Sequence, residues 1–182
     1  MTDTRRASIV ALLVVALALG VSAAVSRGAA RDRGEPPAAR PTGPQEAEVV
    51  AAYLERQTQT PVILLRGKRD RRLVQLAIGP TELNAIAIPL NGVTPPRPLT
   101  HDLFLTLFGR LKVQLTRVVI TDLRDDIYYA VVHLQTEAGE IQLDSRPSDA
   151  IALAVRARVP VLVEDRVFEK AGALDAPRRP AI

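Results

Sequence analysis

The sequence predicts an α+β fold: a single compact domain with a mixed, mostly antiparallel sheet and a few packed helices, preceded by an N-terminal apolar targeting or transmembrane helix. Three observations predict it. Short β-rich runs bounded by turn residues recur between residues 62 and 163, and three of them follow one another without a helix between them. Stretches of helical periodicity, opened by proline or threonine, fall between the remaining runs. The 182 residues, 47% apolar and 24% charged, also suffice for one ordinary core and a leader, and not for two full domains.

At the N-terminus, Arg5-Arg6 precede an uncharged run over residues 9–25 whose most polar member is Ser22. Rising about 1.5 Å per residue, the run reaches roughly 25 Å, the short end of a bilayer span. Small residues at Val21-Ser22-Ala23 and Ala24-Val25-Ser26 equally suit signal-peptide cleavage. Residues 1–28 are therefore read as a signal peptide or a signal anchor, giving an exported (periplasmic or extracellular) or membrane-anchored protein. Arginines flank both ends of the run, so charge gives only a soft vote for the domain lying outside. Residues 29–44, rich in Pro, Gly, Ala and Arg, read as a disordered linker. Residues 45–58 read as a helix leading into the domain, with Val49, Ala52, Tyr53 and Arg56 on one stripe and glutamates in the first turn.

The domain proper is assigned to residues 59–175, with a flexible tail at 176–182. Residues 62–65 and 72–78 are strands joined by the basic turn Arg66-Gly67-Lys68-Arg69-Asp70-Arg71. Gly79-Pro80 opens a helix carrying Leu83, Ile86 and Leu90, which Pro89 ends or kinks. After a rigid connection at Pro95-Pro96-Arg97-Pro98, Thr100 is expected to cap a helix reaching Phe108, closed by Gly109. Residues 112–123, 127–135 and 140–143 form a meander, residues 147–158 a helix, and residues 161–163 a last buried strand.

Composition removes several chemistries. Without cysteine there is no disulfide, thiolate site or cysteine nucleophile, and His101 and His133 are too few for an imidazole-built zinc site. A metal here would be a hard cation on carboxylates. The net charge of +4 sits mainly in residues 1–44, where six arginines face Asp3, Asp32 and Glu35; the remainder holds 18 basic and 17 acidic residues. The domain is nearly neutral, so its total charge gives no support for a polyanion partner. Six Tyr and Phe residues argue against an extended stacking platform.

Glu82, Asp102 and Asp149 each fall in the first turn of a predicted helix, where a carboxylate favours the helix dipole by about 0.3–1 kcal/mol without any catalytic role. The run Asp144-Ser145-Arg146-Pro147-Ser148-Asp149 is more suggestive, joining two carboxylates, an arginine and hydroxyls at a strand-to-helix junction. There Arg146 and the helix N-terminus suit a phosphate, and Asp144 and Asp149 suit a shared divalent cation. Equally, Asp144 pairs with Arg146 while Ser148 and Asp149 cap the helix. His101 suits a general base or a plain surface position, and His133 lies mid-strand. The basic turn reads as a solvated tip, or as the first place for phosphate contacts.

Ile78-Gly79-Pro80-Thr81-Glu82, Arg97-Pro98-Leu99-Thr100-His101-Asp102-Leu103 and the run from Asp144 through Ala154 resemble, in order, the bifunctional nuclease family, whose domain is called BFN. Val118-Val119-Ile120-Thr121-Asp122-Leu123 and the closing Val161-Leu162-Val163 extend the resemblance. It implies a domain acting on DNA and/or RNA, and self-association into a homo-oligomer. By matching position it points to Glu82, His101, Asp102, Asp144 and Asp149 as catalytic and to Arg146 and Ser148 as substrate-binding. It also implies Mg²⁺ or Mn²⁺, with Glu82, Asp144 and Asp149 as candidate ligands. Pro89 and Asn91-Gly92 interrupt a helix the family usually continues, and the leader is atypical for the domain. The rival reading is a non-catalytic, membrane-tethered protein-interaction domain of the same fold.

Overall fold

A computed structural model describes residues 42–175, and its frame is one seven-stranded sheet. The strands are β1 (Gln45–Leu54), β2 (Pro61–Gly67), β3 (Leu73–Ala77), β4 (Gln114–Arg124), β5 (Ile127–Thr136), β6 (Gly139–Ser145) and β7 (Val161–Val163). The helices are α1 (Pro80–Leu90), α2 (Thr100–Arg110), α3 (Pro147–Ala157) and α4 (Asp165–Asp175). The α+β class and the mixed sheet are as expected. Residues 1–41, with the apolar run and most of the linker, and residues 176–182 lie outside the described residues. Among the described residues no helix is long and apolar enough to cross a membrane.

The sheet order is β3-β2-β1-β7-β4-β5-β6. Two antiparallel meanders, β1-β2-β3 and β4-β5-β6, are joined by β7, which runs antiparallel to β1 and parallel to β4. A parallel neighbour needs a crossover, and α3 supplies it between β6 and β7. The β4–β5 turn places Asp125 and Asp126 at φ 48° and 62°, the left-handed pair that suits the twist of a tight hairpin. The sheet also curls. Tyr128 on β5 donates its hydroxyl hydrogen to the Gln75 carbonyl on β3 (3.1 Å), although four strands separate β5 from β3 in the sheet order. Ile63, Leu65, Leu76, Ile86, Ile120, Ile151 and Val167 fill the interior that this curl encloses.

Residues 45–58 are not a helix: β1 occupies most of them. The glutamates that suggested a first helical turn are cross-strand partners of the basic turn, Glu48 pairing with Arg66 (2.6 Å) and Glu46 with Lys68. The apparent helical stripe comes from an irregularity between Val49 and Ala51, where the β1–β2 register shifts by a residue. Such a shift breaks the period of two that marks a strand in sequence. Sheet pairing on both sides then overrides a moderate helical preference.

Smaller corrections follow the same logic. Leu99, not Thr100, is the N-cap of α2, because Asp102 supplies the carboxylate that accepts from the Leu99 N–H (2.8 Å). That helix passes through Gly109 to Arg110. β6 extends through Asp144 and Ser145, and α4 follows the last strand, where no element was expected.

Candidate active site

Arg146 is the N-cap of α3, between the end of β6 and Pro147 at the first helical position. Proline there has no hydrogen-bond donor to lose, and its fixed φ suits the helix start. Asp149 stands three residues on, so its carboxylate folds back over the cap. Arg146 Nε donates to Asp149 Oδ2 (2.7 Å) and its NH2 to Asp149 Oδ1 (3.2 Å). The same NH2 reaches Glu82 Oε1 at 3.0 Å. Asp144 therefore does not pair with Arg146, and neither Ser148 nor Asp149 caps α3 through its side chain.

Glu82 reaches Arg146 from the first turn of α1. Its side chain lies over Gly79, where an added Cβ would meet Glu82 Oε2 at 2.2 Å. Gly79 has φ −81° and ψ 162°, open to any residue, so a larger residue there would act by pushing the Glu82 carboxylate from its place beside Arg146 and not through conformation. On the other side, His101 Nε2 lies 3.3 Å from Asp149 Oδ1. His101, Asp149, Arg146 and Glu82 thus form one chain drawn from α2, α3 and α1. Arg146 is the exposed member, with 64% of its side chain accessible, while Glu82 and His101 are mostly covered.

The electrostatics follow from this chain. Burial pulls the Asp149 pKa upward, but the Arg146 hydrogen bonds and charge, with His101 beside it, hold it below the usual aspartate value. Arg146 is raised, chiefly by its hydrogen bond to Asp149, and stays a cation. A carboxyl lowered in the folded state adds stability that is complete above its unfolded value near ~3.9 and lost as pH falls through the folded value. Asp149→Asn removes that contribution. Urea melts from neutral pH downward are expected to show a shallower acid decline for the variant than for the wild type, and parallel declines would contradict the pairing.

The remaining candidates are placed differently. Asp102 has both oxygens engaged: Oδ2 caps α2, and Oδ1 accepts from Arg156 Nε (2.8 Å). Arg156, almost wholly buried on α3, also donates to the Ala85 and Ala152 carbonyls. Asp102 is a tie between helices here. Asp144 is exposed on β6, and Ser148 is buried at the second residue of α3. His133 is buried and contacts Glu140 and Arg117 on the sheet, away from the Asp149 chain. The basic turn is neutralised: Glu48 pairs with Arg66 and Arg71, Glu46 with Lys68, and Asp165 with Arg69.

Two cavities flank the chain. One of about 540 Å³ lies at the seam where β3 approaches β5, walled by Ile78, Gly79 and Tyr128 with Glu82, Arg146 and Ser148 at one side. The other, about 350 Å³, lies between α2 and β6 and holds His101, Asp149 and Asp144 among Phe104, Phe108 and Leu143. Among the described residues no three His, Asp or Glu side chains gather as a metal-binding group. Glu82 and Asp149 share a guanidinium instead, so in this arrangement the expected carboxylate ligands do not fit a cation. A cation between them requires Arg146 to swing out.

A curled α+β sheet that presents an arginine clamped by two carboxylates at a helix N-terminus, with an imidazole behind it, defines a small domain with a compact polar site. The chain belongs to the bifunctional nuclease domain family, whose model matches residues 63–175. It is 40% identical over 129 residues to an uncharacterized protein of Mycobacterium tuberculosis, covering 71% of this chain and 77% of that one. It is also 33% identical over 81 residues to bifunctional nuclease 1 of Oryza sativa subsp. indica and to the bifunctional nuclease of Oryza minuta. Those matches cover 43% of this chain and 24% of each rice protein.

Proposed function

We propose that the domain hydrolyses phosphodiester bonds in DNA and/or RNA, with the Asp149-centred chain as its catalytic centre. The observation that carries this reading is the exposed Arg146 guanidinium held by Asp149 and Glu82, with His101 Nε2 beside Asp149 Oδ1, the oxygen that Arg146 NH2 also reaches. A guanidinium fixed at two points has lost most of its rotamer freedom before substrate arrives, and its NH1 makes none of those bonds. It binds the phosphate and stabilises the charge that develops on the phosphorane-like transition state. With Nε2 donating to Asp149, the His101 lone pair lies on Nδ1, which takes a proton from the attacking water. Asp149 holds that tautomer and stabilises the imidazolium formed. Ser148, in the wall of the larger cavity, contributes to substrate binding. These roles stand without a metal. If residues 9–25 carry the domain to or across a membrane, the substrate is extracytoplasmic nucleic acid.

The test incubates the full-length chain, in mild detergent, with single-stranded DNA, duplex DNA and RNA in Mg²⁺, Mn²⁺ or chelator. Cleavage by folded protein is the expected result. A requirement for Mg²⁺ or Mn²⁺ would mean that a cation displaces Arg146. Absence of cleavage in every condition would remove the enzyme reading.

One observation favours the second reading, a non-catalytic interaction domain or homo-oligomer. Leu103 and Leu107 on α2, Leu111 at its C-cap and Ile141 on β6 are exposed, an apolar set that another protein surface would cover. Light scattering of the purified chain reads self-association directly.

A further inference from the structure

The cavity between α2 and β6 differs from its neighbour in chemistry. Its walls are the rings of Phe104 and Phe108, 6.3 Å apart and tilted by 55°, with Leu143 opposite and Leu153 buried behind. Phe104 is about half exposed, so part of its side chain is accessible to a ligand. Its polar groups are Thr100 and His101 on α2, Asp144 and Ser145 at the end of β6, and Asp149 on α3. At about 350 Å³ the cavity is at the lower end of the roughly 300–1,000 Å³ range of small-ligand sites. That admits one planar group and excludes a stacked duplex.

Charge bears on what enters. Asp144 and Asp149 line this cavity with no arginine or lysine among its walls, so an anionic group is repelled from it. The neighbouring cavity also carries Glu82 and Asp126, and the exposed Arg146 guanidinium is the one cation that either lining offers to a phosphate. Asp149 belongs to this cavity and Arg146 to the other, and the two side chains are bonded at 2.7 Å. A ligand spanning this pair therefore carries a phosphate next to an uncharged planar ring with polar edges, which is the repeating chemistry of a nucleic-acid strand.

We propose that the cavity lined by Phe104, Phe108 and Leu143 holds one unstacked base of single-stranded DNA or RNA, while Arg146 holds the adjoining phosphate. This rests on the phosphodiesterase reading of the same site. A base inside a duplex is stacked on both faces and must be extruded at a cost of a few kcal/mol to reach such a cavity, so single strands are favoured. Asp144 then faces the base edge, and His101 remains beside the scissile phosphate.

The experiment is calorimetric titration of the full-length chain with short unlabelled strands: thymidine DNA, uridine RNA, an abasic strand of the same length and a duplex. Every strand carries phosphorothioate linkages, which slow hydrolysis, so that binding is read separately from cleavage. Wild type is expected to bind the base-bearing single strands roughly tenfold or more tighter than the abasic strand, the worth of one base stacked on a ring. Phe104→Ala removes that preference, and Phe104→Trp keeps it. A difference between the DNA and RNA arms assigns the preferred strand. Equal binding of base-bearing and abasic strands, with both weakened by Arg146→Ala, overturns the base cavity and leaves the phosphate role standing. Failure of wild type to bind any strand removes the phosphodiesterase reading and the base cavity together. A Phe104→Ala variant that keeps the preference but changes oligomeric mass gives this face to a second copy, and overturns the proposal.

Discussion

Arg146→Ala is expected to lower kcat on a cleavable strand by about 10²–10³-fold, the usual effect of removing one preorganised donor from developing charge. Stability should change little, because 64% of the side chain is exposed and its ion pairs lie at the surface. Arg146→Lys is the more informative variant. It keeps the charge but cannot span Asp149 Oδ1, Asp149 Oδ2 and Glu82 Oε1 with one planar group, so it is expected to restore only part of the rate. Steady-state rates with parallel thermal melts check both. Wild-type rates from Arg146→Ala would leave the arginine as a surface tie between α1 and α3.

The second large effect concerns stability. Pro89 sits in the last turn of α1 and has no N–H, so the Ala85 carbonyl four residues before it lacks its helical donor. Arg156 NH1 supplies that hydrogen bond from α3, while its Nε binds Asp102 on α2. One buried guanidinium thus joins three helices and satisfies a carbonyl that the proline orphaned. Arg156→Met is expected to cost about 3 kcal/mol, combining a broken, largely buried charge pair with an unpaired buried carbonyl. Tm should fall by roughly 10 °C. Pro89→Ala restores an N–H to Ala85 and is expected to recover part of the loss in the Arg156→Met background. Denaturant melts of the two single variants and the double variant measure that coupling, and strict additivity would show that Arg156 and Pro89 act separately.

The same residues show what was legible in the sequence. The α+β class could be read because strand runs and turn residues are local signals, and the junction from Asp144 to Asp149 stood out because its polar residues are adjacent. β1 could not be read, since the irregularity at Val49/Ala51 disrupts the alternation and the glutamates that mimic a helix start are paired across the sheet. Nor could position sort three equivalent first-turn carboxylates. Glu82 and Asp149 meet Arg146 while Asp102 meets Arg156, a division set by how the helices pack. Arg156 is marked in the sequence as an arginine that follows the apolar run over residues 150–155 of α3, in a chain where α1 contains a proline. The 3.3 Å approach of His101 to Asp149, 48 residues apart, leaves no trace in either local segment.

The most direct test of the Asp149-centred chain is the single-turnover rate of strand cleavage by wild type and by Asp149→Asn, with circular dichroism melts run on the same samples at neutral pH. Asparagine keeps the size of the side chain but loses the charge that fixes Arg146 and orients His101. The expected result is clear cleavage by wild type and a rate at least about 100-fold lower for a variant that remains folded. Cleavage by folded Asp149→Asn at the wild-type rate would place the chemistry elsewhere and contradict the account.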